Sequence, residues 1–181
     1  MTPVDFLDNV VTRNVVHLEE ARGSMRRAVN ALLTLDAFAG ILFAHLESLG
    51  RLRWADDSKF REFLAEECPE FRIVRDAAFA LKDGALTDPK KQPRFVKKAD
   101  QVVSDSGAWD EAVQDRSAFN TKSVIWIETT DSSSSMPADI VTLAVLNYFK
   151  TLIGRLRKVK DELRRGNLVR GERPRRRRIR I

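Results

Sequence analysis

The residues best placed to do chemistry lie in one short stretch, Phe71 to Gly84. At about 100° per residue, Arg72, Arg75, Asp76, Phe79, Lys82 and Asp83 fall on one arc of a helix, and the opposite arc is apolar. Two chemistries fit that arc. One is a solvated charged face with an Arg72–Asp76 pair at i,i+4, worth about 0.2–0.5 kcal/mol. The other is a phosphate-facing surface on which Arg72, Arg75 and Lys82 hold nucleic-acid backbone oxygens.

The second charged feature is the end of the sequence. Residues 166–181 hold seven arginines (Arg170, Arg173, Arg175, Arg176, Arg177, Arg178 and Arg180) against Glu172 alone. Their balance of +6 equals that of the whole chain. Residues 150–165 are also basic, so residues 1–149 sum to −5. A segment of this composition cannot bury a core and is expected to be disordered when free. Arginine binds phosphate bidentately and stacks on bases, so RNA or DNA is the natural partner. An acidic protein surface, including the chain's own body, is the competing one. Ile179 and Ile181 are too few for a membrane anchor.

Other chemistries find little support. A single cysteine, Cys68, permits no internal disulfide, and there is no Cys/His spacing for zinc. Cys68, beside Pro69, reads as an inert buried thiol. The two histidines, His17 and His45, lack the neighbours of a metal site. His17 reads as a surface residue and His45 as a core or edge residue of an apolar helix. No nucleophile elbow, P-loop or dinucleotide-binding glycine pattern occurs, and no metal or cofactor is expected.

The Arg75-Asp76 to Lys82-Asp83 run resembles the fourth-helix motif of bacterial HEPN-like helical proteins. In that motif an Arg-Asp pair is followed by Asn and then Lys-His before a glycine or short loop. Arg75-Asp76 and Lys82 match, while Phe79 stands in place of Asn and Asp83 in place of His. The resemblance spans about residues 21–88 and implies a helical fold and a homodimer. In catalytic members it implies metal-independent RNA cleavage by an Arg and a His. Without the histidine a general acid/base is missing, because aspartate is a poor acid at neutral pH unless buried. The expectation is therefore a non-catalytic or degenerate protein, a nucleic-acid-associated or protein-interaction module. The enzyme alternative is a ribonuclease using Arg75, Lys82 and Asp83. A pure interaction protein, its basic tail incidental, is the third reading.

The elements that must position these residues are mostly helices. Phe6, Val10, Asn14/Val15 and Leu18 predict a first helix over Asp5–Glu20. Ser24–Leu49 is apolar nearly all round and predicts a central buried helix ended by Gly50. Asn30 and Asp36 lie within it and must find hydrogen-bond partners. Asp56, Asp57 or Ser58 caps a third helix carrying Phe60, Phe63 and Leu64. Pro69 opens a fourth, Glu70–Lys82, with an apolar stripe of Phe71, Val74, Ala78 and Leu81 before Gly84.

Ser123–Thr130 is β-branched and aromatic and predicts a strand paired with an earlier segment near 95–103 or 112–119. Ser135 then caps, and Pro137 starts, a last long helix reaching Arg165, with Ile140, Val141, Val145, Phe149, Leu152 and Ile153 inward. The expectation is one mainly α domain, residues 1–165. It is a bundle of about five helices with a small β-hairpin within about 95–130, followed by the tail 166–181. The start lacks a signal-peptide pattern, and the longest apolar stretch, Ala37–Leu46, is about half of the ~20 residues a membrane span needs. The expected compartment is the cytoplasm.

Overall fold

The computed structural model describes residues 1–50, 54–85, 95–105, 123–130 and 135–164. The predicted tail and the segment 106–122 lie outside these residues. Residues Met1–Leu146 form one compact unit and Asn147–Ile181 a second. Among the described residues there are five helices and a small antiparallel sheet, the mainly α class expected from the sequence.

The first helix begins two residues earlier than its apolar pattern suggests. Thr2 accepts from the Asp5 N–H at 3.2 Å, and Asp5 accepts back from the Thr2 N–H at 3.0 Å. This capping box satisfies two donors that have no partner within the helix. The helix runs through α1 (Pro3–Phe6), a π-helical turn (Leu7–Val11) and α2 (Thr12–Glu20). Its buried stripe is Leu7, Val11, Val15 and Leu18. Phe6 and Val10, expected inward, are half-buried instead. The wider π turn moves the inward face on by about one residue.

The central helix α3 (Met25–Ser48) has Ser24 at its N-cap, but the Ser24 side chain makes no capping hydrogen bond. Gly50, at φ 61°, follows its end. Ala28, Ala31, Leu32, Leu35, Phe38, Ala39, Leu42 and Leu46 are buried. Leu49 and Asn30, read as interior, are exposed. Leu49 has already left the helix, and Asn30 lies on its exposed side. With 24 residues and a mean hydropathy of 1.6, α3 is long and apolar enough to span a membrane. Half of its most apolar stretch is buried within the protein, which is also how a core helix behaves.

Asp56 caps α4 (Asp57–Glu67), accepting from the Lys59 N–H at 2.8 Å. Trp54 closes over it with its ring 4.9 Å from Phe60 and 4.8 Å from Phe63. Cys68 joins α4 directly to α5 (Pro69–Asp83), which starts on Pro69 and stops at Gly84, φ 78°. There the left-handed backbone suits only a residue without Cβ. α5 buries Phe71, Val74 and Ala78 as predicted. It also buries Ile73, Ala77, Ala80 and the carboxylate of Asp76. Leu81 is half-buried.

The predicted strand is β2 (Val124–Glu128), and it pairs antiparallel with β1 (Val102–Asp105), matching Val103 with Trp126. The hairpin expectation was one strand short. Ser135–Pro137 are not the start of the last helix but β3, on the other side of β2, with Trp126 opposite Pro137. Proline lacks a ladder donor and is tolerated at the end of an edge strand, so its helix-starting habit misled the reading. The last helix, α6 (Ala138–Arg164), begins one residue later. Val141, Val145, Phe149, Leu152 and Ile153 are buried, whereas Ile140 is exposed, displaced from the inward face by Thr142 and Leu146.

The turn between α2 and α3 is tied both to the sheet and to α6. The Ile125 N–H donates to the Arg22 carbonyl at 3.0 Å, and Arg22 Nε sits 2.6 Å from Asp139 Oδ2 in the first turn of α6. At that corner Gly23 passes so close to Ser123 that a Cβ would overlap both its side chain and its carbonyl.

Candidate functional site

Most of the charged arc of α5 is turned away from open solvent, although Lys82 and Asp83 at its C-terminal end are exposed. It is turned toward α3 and α4, and its cations meet carboxylates of those helices. The expected Arg72–Asp76 pair is replaced by longer-range partners. Arg72 Nη2 lies 2.9 Å from Glu62 Oε1 and Arg75 Nη1 lies 2.8 Å from Glu62 Oε2. Lys82 Nζ lies 2.9 Å from Asp36 Oδ2. The reason is geometric. α4 joins α5 through a single residue, Cys68, and so lies against it, presenting Glu62 where an isolated α5 would meet water.

Asp36 is the hub of the inner half. It stands on α3 among apolar neighbours with its side chain 1% exposed. A buried carboxylate needs charged or hydrogen-bonding partners, and here it has two cations. Arg61 from α4 pairs with its Oδ1 and also donates from Nη1 to the Asp36 carbonyl at 3.0 Å. Arg61 Nε reaches Asp57 at 2.7 Å, one turn back along α4. Gly40 lets the guanidinium cross α3, since a Cβ there would lie 3.0 Å from Arg61 Nη2. Phe79 lies between the two cations, its ring centroid 6.0 Å from Arg61 Cζ and 5.6 Å from Lys82 Nζ, within cation–π range.

Asp76 and Arg75 belong to the outer half. Asp76 is fully buried and accepts from the Phe95 N–H at 3.0 Å, anchoring the segment that leads into β1. Arg75 Nε and Nη2 both lie 3.3 Å from Asp76 Oδ1. With one carboxylate on each side, Arg75 is held at 13% exposure. Four acids (Asp36, Asp57, Glu62, Asp76) and four bases (Arg61, Arg72, Arg75, Lys82) thus form a neutral seam joining α3, α4 and α5. The hydrogen bond from Arg75 and the charges of Arg75 and Arg72 hold the Glu62 carboxyl below the usual glutamate range, although partial burial opposes this.

Two of the three candidate catalytic residues are taken up in ion pairs. Arg75 is clamped by two carboxylates and Lys82 is paired with Asp36. Asp83, the third proposed catalytic residue, is exposed at the last position of α5. His17 and His45 are both exposed: His17 is the surface residue expected, and of the core or edge reading of His45 the core half is removed. Cys68 is buried, and burial pushes its thiol up to about 11, far from a thiolate at neutral pH. Among the described residues, no group of three or more His, Cys, Asp or Glu side chains could hold a metal ion. An open groove of about 470 Å³ lies at the α2–α3 corner, between Glu19, Glu20, Arg22, Ser24 and Ser123. It contains none of the predicted site residues. Arg170, Arg173, Arg175, Arg176, Arg177, Arg178 and Arg180 lie outside the described residues.

Sequence reasoning missed Arg61, Asp57 and Glu62. The one usable signal was Asp36 itself, a carboxylate in an otherwise apolar helix that required cationic partners. Which cations would answer it was not readable, since Arg61 is 25 and Lys82 46 residues further on.

Compared in turn with protein-family models, with curated proteins and with solved structures, the chain finds no match in any of the three.

Proposed function

We propose that this chain is a non-catalytic, HEPN-like helical module of the cytoplasm that associates with nucleic acid through its arginine-rich segment 166–181. The observation that supports this reading is the neutrality of the α3–α4–α5 seam. Arg72, Arg75 and Lys82 are each paired with a carboxylate of the same chain, so the body has little cationic surface to spare there. The uncompensated charge lies in the seven arginines between Arg170 and Arg180, beside Glu172 alone. Phosphate contacts of this kind position a protein without reading sequence.

The test is binding of a labelled single-stranded RNA and of a DNA duplex to the full chain, across salt. A full-length variant with all seven of those arginines changed to glutamine is the control. If each arginine meets a duplex phosphate, log K falls against log salt with a slope of about −6. The variant is expected to lose binding. Binding that survives in it moves the contact to the helical body, and cleavage of the RNA in the same assay revives the ribonuclease alternative.

A further inference from the structure

The basic residues do not begin with the tail. The second half of α6 carries Lys150, Arg155, Arg157 and Lys158, all exposed, with no acid between Ile140 and Lys160. None of the ion pairs among the described residues uses these four cations. Asp161 and Glu162 follow, and can answer at most two of the seven cations between 150 and 165. Phe149, Leu152 and Ile153 are buried on the opposite side of the helix. At about 100° per residue the exposed side spans an arc of about 160°. Lys150 and Arg157 border one edge of that arc and Arg155 the other. Asn147, Thr151, Gly154 and Lys158 run along its middle, one turn apart. Thr151 donates its hydroxyl back to the Asn147 carbonyl at 2.9 Å, so its one donor is used within the helix.

Gly154 is the odd residue of this face. Glycine in a helix interior is destabilising relative to alanine, because it gives up more backbone freedom on folding. Crowding can justify one, as it does for the glycine of the α2–α3 turn, where a Cβ on Gly23 would overlap Ser123. No crowding applies at Gly154: a Cβ there would have nothing within 4 Å. Nor does Gly154 end the helix, since α6 runs on to Arg164. What a bare backbone position on an exposed face does permit is the close approach of another molecule. The glycine and the cations around it, Lys150 one turn before and Arg157 and Lys158 one turn after, are separate observations that point to one contact.

We infer that the exposed arc of α6 is a docking surface for duplex DNA, seated in the major groove with Gly154 at the closest approach. This rests on the nucleic-acid reading above and extends it from the tail to a rigid element. A protein partner would call for apolar or aromatic side chains at the centre of the surface, and this arc is polar, charged or glycine throughout. Contacts with DNA are polar and strongly positive on the protein side. An α-helix with its side chains is about 10–12 Å across, and the major groove of B-DNA is about 12 Å wide. Cations at both edges of the arc then reach the phosphates of the two strands, and the slim middle line of Asn147, Thr151 and Gly154 faces the groove floor. The major groove of A-form RNA is too narrow for this seating. A single strand offers one row of phosphates to two cationic edges. The surface adds to the tail's hold on the duplex and does not replace it.

The experiment titrates a labelled DNA duplex and a labelled single-stranded RNA, across salt, with four full-length proteins: the unaltered chain, Gly154→Ala, Gly154→Gln and the double variant Lys150→Gln/Arg157→Gln. Thermal unfolding of each is followed in parallel. Both Gly154 variants are expected to unfold at a higher temperature than the unaltered chain, because alanine and glutamine are better helix formers. Both are expected to bind the duplex more weakly, glutamine more so than alanine. The double variant is expected to show a log–log salt slope shallower by about 2 on the duplex, one phosphate contact for each lost cation. Weaker binding by a more stable helix is the signature, since a glycine that is merely tolerated would give the stability without the loss of affinity. Duplex affinity unchanged in both Gly154 variants overturns the proposal. So does an unchanged slope in the double variant, or an equal loss on the single-stranded RNA. An unaltered chain that binds no duplex fails the nucleic-acid reading itself and takes this surface with it, whereas duplex binding blind to Gly154 removes this surface alone.

Discussion

The two sides of α3 are joined to their neighbours by different means. Toward the N-terminal helix the buried contact is apolar, through Leu7, Val11, Val15 and Leu18, and the polar links are peripheral: Asn14 Nδ2 to Thr34 Oγ1 at 3.4 Å, and Arg27 Nη1 to the His17 carbonyl at 2.6 Å and to Glu20 at 3.6 Å. Toward α4 and α5 the contact runs through Asp36, Arg61 and Lys82. Apolar packing is non-directional and tolerates many registers of similar area. A buried carboxylate between two cations tolerates one arrangement, because any slip leaves a charge unpaired. The first side coheres by apolar burial. The second fixes how α4 and α5 are set against α3.

The comparison is broken hardest at Asp36. Asp36→Ala leaves Arg61 and Lys82 without their common acceptor. Losing one partner of a buried pair costs about 3–5 kcal/mol. The lower end is expected here, because Asp57 and the Asp36 carbonyl still hold Arg61, and Lys82 is 45% exposed. Denaturant unfolding measures it. On the opposite side, Asn14→Ala should cost under about 1 kcal/mol, as expected for a single weak hydrogen bond. Equal costs at the two positions would remove the distinction.

The apolar side is fixed at its corner rather than along its length. Gly23→Ala drives a methyl group into Ser123 and should cost about 1–3 kcal/mol, the usual range for overpacking. Ser123→Gly in the same chain is expected to recover only part, since the Ser123 carbonyl still lies in the way. Full recovery would show that the side chain alone sets the approach.

The smallest effect concerns the exposed end of the seam. Glu62 has a folded-state value depressed below the ordinary 4.5, mainly by its hydrogen bond from Arg75. A depressed carboxylate contributes stability that is complete above its ordinary value and is lost as pH falls through the folded value. Wild type should therefore exceed Glu62→Gln by a constant margin at neutral pH, under about 1 kcal/mol for a half-exposed pair. That margin should shrink below about pH 4.5. A margin unchanged between pH 7 and pH 3 would mean that Glu62 contributes through shape and not through charge.

Much of this framework was legible in the residues. Asp56, Pro69, Gly50 and Gly84 marked helix ends by local chemistry that does not depend on the rest of the fold. The β-branched run at 124–128 marked a strand for the same reason. The errors fell where local and tertiary preferences disagree. Pro137 is as acceptable at the end of an edge strand as at a helix start, and only pairing with Trp126 decided between them. The π turn at Leu7–Val11 shifted the inward stripe by a residue, and nothing in the local sequence marks it. The candidate site was half legible. Its α5 members were found because they share an arc, whereas Arg61 and Glu62 look like any charged residues of an amphipathic helix.

By itself the sequence determined the helical class, the ends of most elements and where the net charge lies. These follow from propensities, caps and counts, which act over a few residues. The tertiary structure alone decided that the cations of the charged face of α5 are paired in a seam with α3 and α4. That depends on α4 folding back through Cys68 to set Glu62 against Arg72 and Arg75, and on α3 carrying Asp36 to Lys82. Ion pairing is short-ranged in space and indifferent to distance along the chain, so the same residues read as a solvated stripe until the helices are placed.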